Sequence, residues 1–143
     1  MKQITTEITI DAPIEEVWAI LLDFAAYEEW NPFIRKITGQ LAVAEHLTVT
    51  IEPPKQKSMN FRSQVQTYED YKFSWLGGFG KRGIFDGLHS FELIRIAENQ
   101  TRFLHCESFS GFLHKPLFWL IGKSTQAGFI AMNNALKKRC ETT

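Results

Sequence analysis

Residues 116–138, PLFWLIGKSTQAGFIAMNNALKK, decide the architecture of this 143-residue chain. Phe118, Ile121, Thr125, Phe129, Met132 and Leu136 recur three to four residues apart, the spacing of one stripe on an α-helix. Pro116 suits the first helical turn, where no N–H is required, and Lys137-Lys138-Arg139 suits the electronegative last turn. A helix with one apolar stripe needs a surface to cover, and the sequence before it supplies strands.

Working back from the helix, residues 102–110 and 84–96 read as two strands joined around Glu98-Asn99. Before them come Tyr71, Phe73 and Trp75 in alternation, then Met59, Phe61, Ser63 and Val65, with a turn at 68–70 between the two sets. Leu47, Val49 and Ile51 alternate with polar residues until Pro53-Pro54, and residues 33–40 form a further strand. A short helix over 25–30 is stopped by Asn31-Pro32, because a residue before proline resists the helical conformation. Another helix starts at Asp11-Ala12-Pro13, with Asp11 as its cap, Glu15 and Glu16 in its first turn, and an end near Asp23. Residues 3–11 place Ile4, Thr6, Ile8 and Ile10 on one face of a strand. A strand meander must have its apolar face covered. The expectation is one α+β domain over residues 1–143: a curved seven-stranded antiparallel sheet wrapped around the long C-terminal helix, with two short helices after the first strand.

Sixteen basic and sixteen acidic residues balance to zero net charge, which argues against nucleic acid as a partner, since phosphate neutralisation needs a basic excess. Lys55 and Lys57, Lys81 and Arg82, and the run at 137–139 read as solvated loops and a helix end. Twelve Phe and four Trp imply a core that is either densely packed with rings or lined by them around a cavity. Cys106 and Cys140 match no metal or CxxC spacing; a buried thiol and a frayed helix end are expected, respectively. The glycine-rich connection over 76–83 joins two strands and fits a hairpin or bulged corner rather than a phosphate loop. There is no apolar signal core at the N-terminus, and the most apolar window, 116–122, is too short to span a bilayer. A cytoplasmic protein without stable membrane insertion is expected.

Four segments carry a family resemblance: Ile10-Asp11-Ala12-Pro13-Ile14-Glu15-Glu16-Val17-Trp18, Tyr27-x-x-Trp30-Asn31-Pro32-Phe33, Gly87-Leu88-His89-Ser90-Phe91-Glu92-Leu93, and Thr101-Arg102-Phe103 through Glu107-x-Phe109-x-Gly111. In order and spacing the chain resembles the START-like (SRPBCC, helix-grip) superfamily, in its polyketide cyclase/dehydrase-like branch. That resemblance implies a cavity between sheet and C-terminal helix. Members of the superfamily bind lipids, sterols, polyketides, hormones or quinones; some catalyse cyclisation or dehydration, and others are chaperone regulators or transport factors. A small hydrophobic ligand is the implied partner, and no cofactor or metal is. Fold carries over more securely than function, which lives in the site.

Polar residues at inward positions are the candidates for chemistry. His89 shares a strand face with Phe91 and Leu93, and His105 and Glu107 share one with Phe103 and Phe109. A hairpin centred on Glu98 pairs His89 with Glu107 and Phe91 with His105, unless a one-residue slip breaks the register. One reading makes His89 a general base whose basicity Glu107 raises. The other makes the pair a satisfied buried contact or a handle that orients a ligand. His89, His105 and Glu107 are adequate metal ligands chemically, but no short ligand motif holds them. His46 and His114 carry no evident role. Ser90, Ser108 and Cys106 fall on the opposite face, which leaves no nucleophile beside a histidine. Trp30, Asn31 and Phe33 are expected to close one end of a cavity. Phe61, Phe73, Trp75, Phe91, Phe109, Thr125, Phe129 and Met132 are its candidate walls, with plain core packing as the alternative for the rings. The expected function is binding, transport or sequestration of a lipid or polyketide-like aromatic molecule. The alternatives are a cyclase or dehydratase using His89 and Glu107, and an interaction module docking a protein through a sheet edge or the loop at 77–83.

Overall fold

The computed structural model describes residues 2–79 and 81–142. Its elements run β1 (Lys2–Ile10), α1 (Ile14–Leu22), a 3-10 turn (Phe24–Ala26), α2 (Tyr27–Trp30), β2 (Ile34–Gly39), β3 (His46–Ile51), β4 (Met59–Glu69), β5 (Lys72–Phe79), β6 (Phe85–Ala97), β7 (Gln100–Ser110) and α3 (His114–Glu141). The seven strands form one antiparallel sheet in the order β1-β7-β6-β5-β4-β3-β2. Beyond the β1–β7 pair, sheet order therefore follows chain order, as a meander of hairpins should. The expected α+β helix-grip arrangement is the one observed.

The alternating faces fall where periodicity places them. Ile4, Thr6 and Ile10 of β1 are buried, while Thr5 and Glu7 are exposed. Phe85, Gly87, His89, Phe91 and Leu93 of β6 are all buried on one face. Opposite them α3 buries Gly122, Thr125, Gly128, Phe129, Met132, Asn133, Leu136 and Cys140. The helix is longer than expected at both ends. Its C-terminal turn is held by Lys137 Nζ donating to Thr9 O at 2.9 Å, by the Lys137–Glu141 pair, and by Arg139 bridging to Glu29. Cys140 is thus buried rather than frayed, and burial pushes its thiol up to about 12.

Other details differ from expectation. Asp11 does not cap α1: Pro13 occupies that position without a side-chain cap, and Asp11 instead ties the C-terminus, its N–H donating to Glu141 at 2.8 Å. The region after α1 splits into a 3-10 turn and a four-residue helix. Asn31 does stop it, in an extended conformation, and its Oδ1 accepts from the N–H groups of Phe33 and Ile34, both at 2.9 Å. The β4–β5 turn lies at 70–71, one residue later than expected, with Tyr71 at φ 69°. Gly77 and Gly78, read as part of a connection, belong to β5; Gly80 lies outside the described residues.

Gly128 sets how closely α3 approaches β2. A Cβ there would lie 2.3 Å from Cδ1 and 2.5 Å from Cε1 of Phe33. Phe33 is buried and braced edge-on against Phe129, with ring centroids 5.5 Å apart, so it cannot swing away cheaply. Helix propensity favours alanine over glycine by about 1 kcal/mol, whereas overpacking a core costs ~1–3 kcal/mol. Gly128→Ala is therefore expected to destabilise the protein, by up to about 2 kcal/mol in equilibrium unfolding; a stabilised variant would show that Phe33 yields.

Candidate functional site

The β6–β7 register is the one the hairpin argument gives, His89 opposite Glu107 and Phe91 opposite His105. On the far side of β7, β1 sets Thr6 opposite His105 and Ile4 opposite Glu107. One inward row across the sheet therefore reads Ile4, Glu107, His89, Trp75, Val65, and the next reads Thr6, His105, Phe91, Phe73. The side chains do not pair straight across. His89 Nε2 meets Nε2 of His105, its diagonal neighbour, at 2.7 Å. His105 Nδ1 meets Asn133 Oδ1 at 2.8 Å, and Asn133 Nδ2 donates to Thr6 Oγ1 at 2.9 Å. Thr6 Oγ1 donates to the His105 carbonyl at 2.7 Å. This corrects the expectation that Glu107 is the partner of His89.

The chain of hydrogen bonds has only one consistent direction. The His105 carbonyl can only accept, so the Thr6 hydroxyl proton points there and its lone pair takes the Asn133 amide N–H. Asn133 Oδ1 then faces His105 Nδ1, which must carry the proton. Burial holds His105 down to about 3, so at neutral pH it is uncharged and its Nε2 is a bare acceptor. His89 must donate from Nε2. Burial, with His105 beside it, keeps His89 neutral as well, which leaves its lone pair on Nδ1. Phe129 stacks on both imidazoles, its ring centroid 4.0 Å from that of His105 and 4.8 Å from that of His89 and nearly parallel to each.

His89 and Glu107 both line a cavity between the sheet and α3. Its walls are mostly apolar: Phe33, Val49, Ile51, Phe61, Trp75, Phe85, Phe109 and Ile121, with Ser63 and Thr125 as further polar points. Gly87 makes room for the carboxyl, because a Cβ at that position would lie 2.2 Å from Glu107 Oε2. Among the described residues nothing hydrogen-bonds the Glu107 carboxyl or His89 Nδ1. Burial raises Glu107 to about 8, so it is mainly protonated at neutral pH. The site thus presents an imidazole lone pair and a carboxylic acid proton in apolar surroundings. The cavity holds about 70 Å³, well below the roughly 300–1,000 Å³ of ligand pockets. A ring-sized guest needs lining side chains to move; of the apolar ones, Ile51, Phe61 and Ile121 are only partly buried.

Of the residues singled out from sequence, Phe33, Phe61, Trp75, His89, Glu107, Phe109 and Thr125 surround the cavity. Phe73, Phe91 and Met132 are buried in the core beside it, and His105 and Phe129 support His89 from behind. Trp30 stands apart, edge-on against Tyr27 at 5.0 Å, and Asn31 holds a turn rather than a cavity end. Val49, Ile51, Ser63, Gly77, Gly78, Phe85, Gly87 and Ile121 were not singled out as lining; inward parity was the available signal for Val49, Ile51, Ser63, Gly77, Phe85 and Gly87, the apolar stripe of α3 for Ile121, and Gly78 had none. Asn133 was also missed. A polar side chain one turn from Phe129 and beside Met132 on the buried stripe was its signature.

The sequence profile of the family described as polyketide cyclase / dehydrase and lipid transport matches residues 1–141. Similar solved structures include the Zhui aromatase/cyclase from Streptomyces (TM-score 0.77, 12% identity, 98% of this chain and 93% of that one). A START superfamily protein from Mycobacterium smegmatis is similar at TM-score 0.74 and 18% identity, over 98% of this chain and 97% of that one. A point mutant of norcoclaurine synthase from Thalictrum, in complex with a transition state analogue, gives TM-score 0.72 and 11% identity, over 99% and 94%. At such identities these likenesses concern the fold. No curated protein sequence matches.

Proposed function

Because the chain belongs to the polyketide cyclase / dehydrase and lipid transport family, we propose that it binds a neutral, largely apolar small molecule bearing a hydroxyl and a carbonyl group. The observation that carries this reading is the pair of unengaged groups in the apolar cavity, an acceptor at His89 Nδ1 and a donor at the Glu107 carboxyl. A ligand hydroxyl satisfies the first and a carbonyl the second. An anionic ligand is disfavoured, since neither histidine is charged and, among the described residues, no Lys or Arg lines the cavity. The reading is tested by a thermal-shift and titration series that compares hydroxylated aromatic ketones with hydrocarbons of the same shape. The oxygenated compounds are expected to bind at least about tenfold more tightly, the worth of one well-made buried hydrogen bond. Glu107→Gln keeps a donor and should preserve that margin, whereas Glu107→Leu should cut it back to what the hydroxyl gains from His89. Equal binding of ketone and hydrocarbon by the wild type sinks the assignment.

A second reading is a dehydratase or cyclase. It is favoured by one feature: the environments hold one group as a neutral base and its neighbour as a neutral acid, the division of labour acid–base catalysis requires. In a dehydration, His89 Nδ1 would take the proton from carbon while Glu107 protonates the departing hydroxyl, which leaves as water. His89→Gln with intact folding and ligand binding but no turnover of a β-hydroxy ketone supports it; unchanged turnover removes His89 from the role.

A further inference from the structure

Among the described residues, four of the large hydrophobic side chains that face solvent fall within residues 112–120: Phe112 at 76% exposure, Leu113 at 38%, Trp119 at 82% and Leu120 at 65%. They sit at the start of α3, on the side away from Ile121 and Thr125, which line the cavity. Lys115, Trp119 and Lys123 follow at four-residue spacing, so they stack along one exposed line of the helix with Leu120 and Pro116 beside it. Neither lysine takes part in the ion pairs found among the described residues, which use Arg95, Arg102, Lys137 and Arg139. From Ser108 to Cys140 the chain contains no Asp or Glu. Backbone bonds from Phe112 N–H to Gly83 O at 3.0 Å and from Leu113 N–H to Ile84 O at 2.9 Å fasten this corner to the β5–β6 connection, which brings exposed Lys81 and Arg82 alongside. The nearby Asp86 carboxylate is engaged by the Gly83 N–H at 2.8 Å.

We propose that this corner docks the protein onto an anionic lipid bilayer, with Phe112, Trp119 and Leu120 entering the headgroup region and Lys115 and Lys123 meeting lipid phosphates. A large aromatic beside leucine and flanked by unpaired cations is the composition that seats at a bilayer surface. Such an apolar cluster is costly to leave in water. Charge selects this occupant: a two-fold contact with a second copy would gather the lysines of both patches with no Asp or Glu of the 108–140 segment to meet them. Among the described residues no helix is long and apolar enough to cross a membrane, and the proposed attachment is peripheral. Because the same turns of α3 carry cavity residues on their inner face, docking places the cavity rim at the lipid surface.

The test is flotation of the full chain with phosphatidylcholine vesicles, with and without phosphatidylglycerol. Binding is expected to the mixed vesicles, weakening as salt rises. Lys115→Gln/Lys123→Gln should reduce it about thirtyfold, and Trp119→Ser/Leu120→Ser about a hundredfold. The exposed positions of all four should leave melting temperatures unchanged. Absence of vesicle binding, binding that ignores phosphatidylglycerol, or undiminished binding by the Trp119→Ser/Leu120→Ser variant each overturns the proposal. So does a wild-type dimer that this variant dissociates, which would assign the face to a second copy. Loss of this proposal leaves the cavity reading untouched, since ketone binding is measured without lipid.

Discussion

Phe129→Ala should lower the unfolding free energy by ~3–5 kcal/mol, the usual cost of deleting a fully buried ring. Phe129 has no exposed surface. Its ring lies parallel to His105 at 4.0 Å and to His89 at 4.8 Å, and edge-on to Phe33 at 5.5 Å. Few side chains could be removed with more consequence, because this one joins α3 to β6, β7 and the segment entering β2 together. The residues around it cannot close the gap: His105 is tied to Asn133, and Phe33 is held against Gly128. Urea denaturation near neutral pH measures the effect. Phe129→Leu, which keeps most of the volume, should cost about 1–2 kcal/mol. A loss under about 1 kcal/mol for the alanine variant would mean that α3 does not rest on the sheet through this ring.

The stability of the protein should pass through a maximum near pH 6.5 as a result of two buried histidines and the desolvated Glu107 carboxyl. His89 and His105 have folded values lowered from the ordinary 6.5, first through burial. Below pH 6.5 the unfolded chain therefore binds protons that the folded one refuses, and each histidine removes up to about 1.4 kcal/mol per pH unit. Glu107 acts in the opposite sense. Burial raises it from 4.5 to about 8, so between those values the folded state holds a proton that the unfolded state has lost, and stability falls as pH rises. Below pH 6.5 two histidines work against one glutamate, so stability falls on balance; from 6.5 up to 8 Glu107 alone removes roughly 2 kcal/mol. Unfolding free energies measured across this range at constant ionic strength test both limbs. Glu107→Gln should abolish the alkaline limb and steepen the acid one. A wild type whose stability is flat between pH 6.5 and 8 would mean an ionised Glu107, and with it the loss of the cavity's donor.

Much of the fold was legible because it rests on local periodicity. The period-two runs of β1, β3, β6 and β7 and the stripe from Phe118 to Leu136 each state which side of an element is apolar, and burial follows those faces. Turn chemistry was legible at Asn31-Pro32, where the pre-proline restriction ends α2. It misled at Asp11, where a good capping residue lies two positions too early and finds its partners at Gln100 and Glu141 instead. Cys140 was misread because the terminal turn is secured by Thr9 and Glu29, distant partners that no local pattern reveals.

Sequence alone determined the seven-strand meander, the long covering helix, the β6–β7 register and the inward placement of His89, His105 and Glu107. Each of these follows from alternation along one segment or from the length of one turn. Tertiary structure alone decided which inward groups engage one another. The offset of side chains across the pleat carries His89 to His105 on the diagonal, 2.7 Å away, rather than to Glu107 straight across. The angle at which α3 crosses the sheet delivers Asn133 to His105 and Thr6, partners 28 and 127 positions distant in the chain. Glu107, left unpaired over Gly87 in an apolar recess, becomes an acid rather than an anion because desolvation depends on everything around it. Periodicity specifies a face; hydrogen-bond direction and desolvation depend on positions to within a fraction of an ångström, which only the assembled core sets.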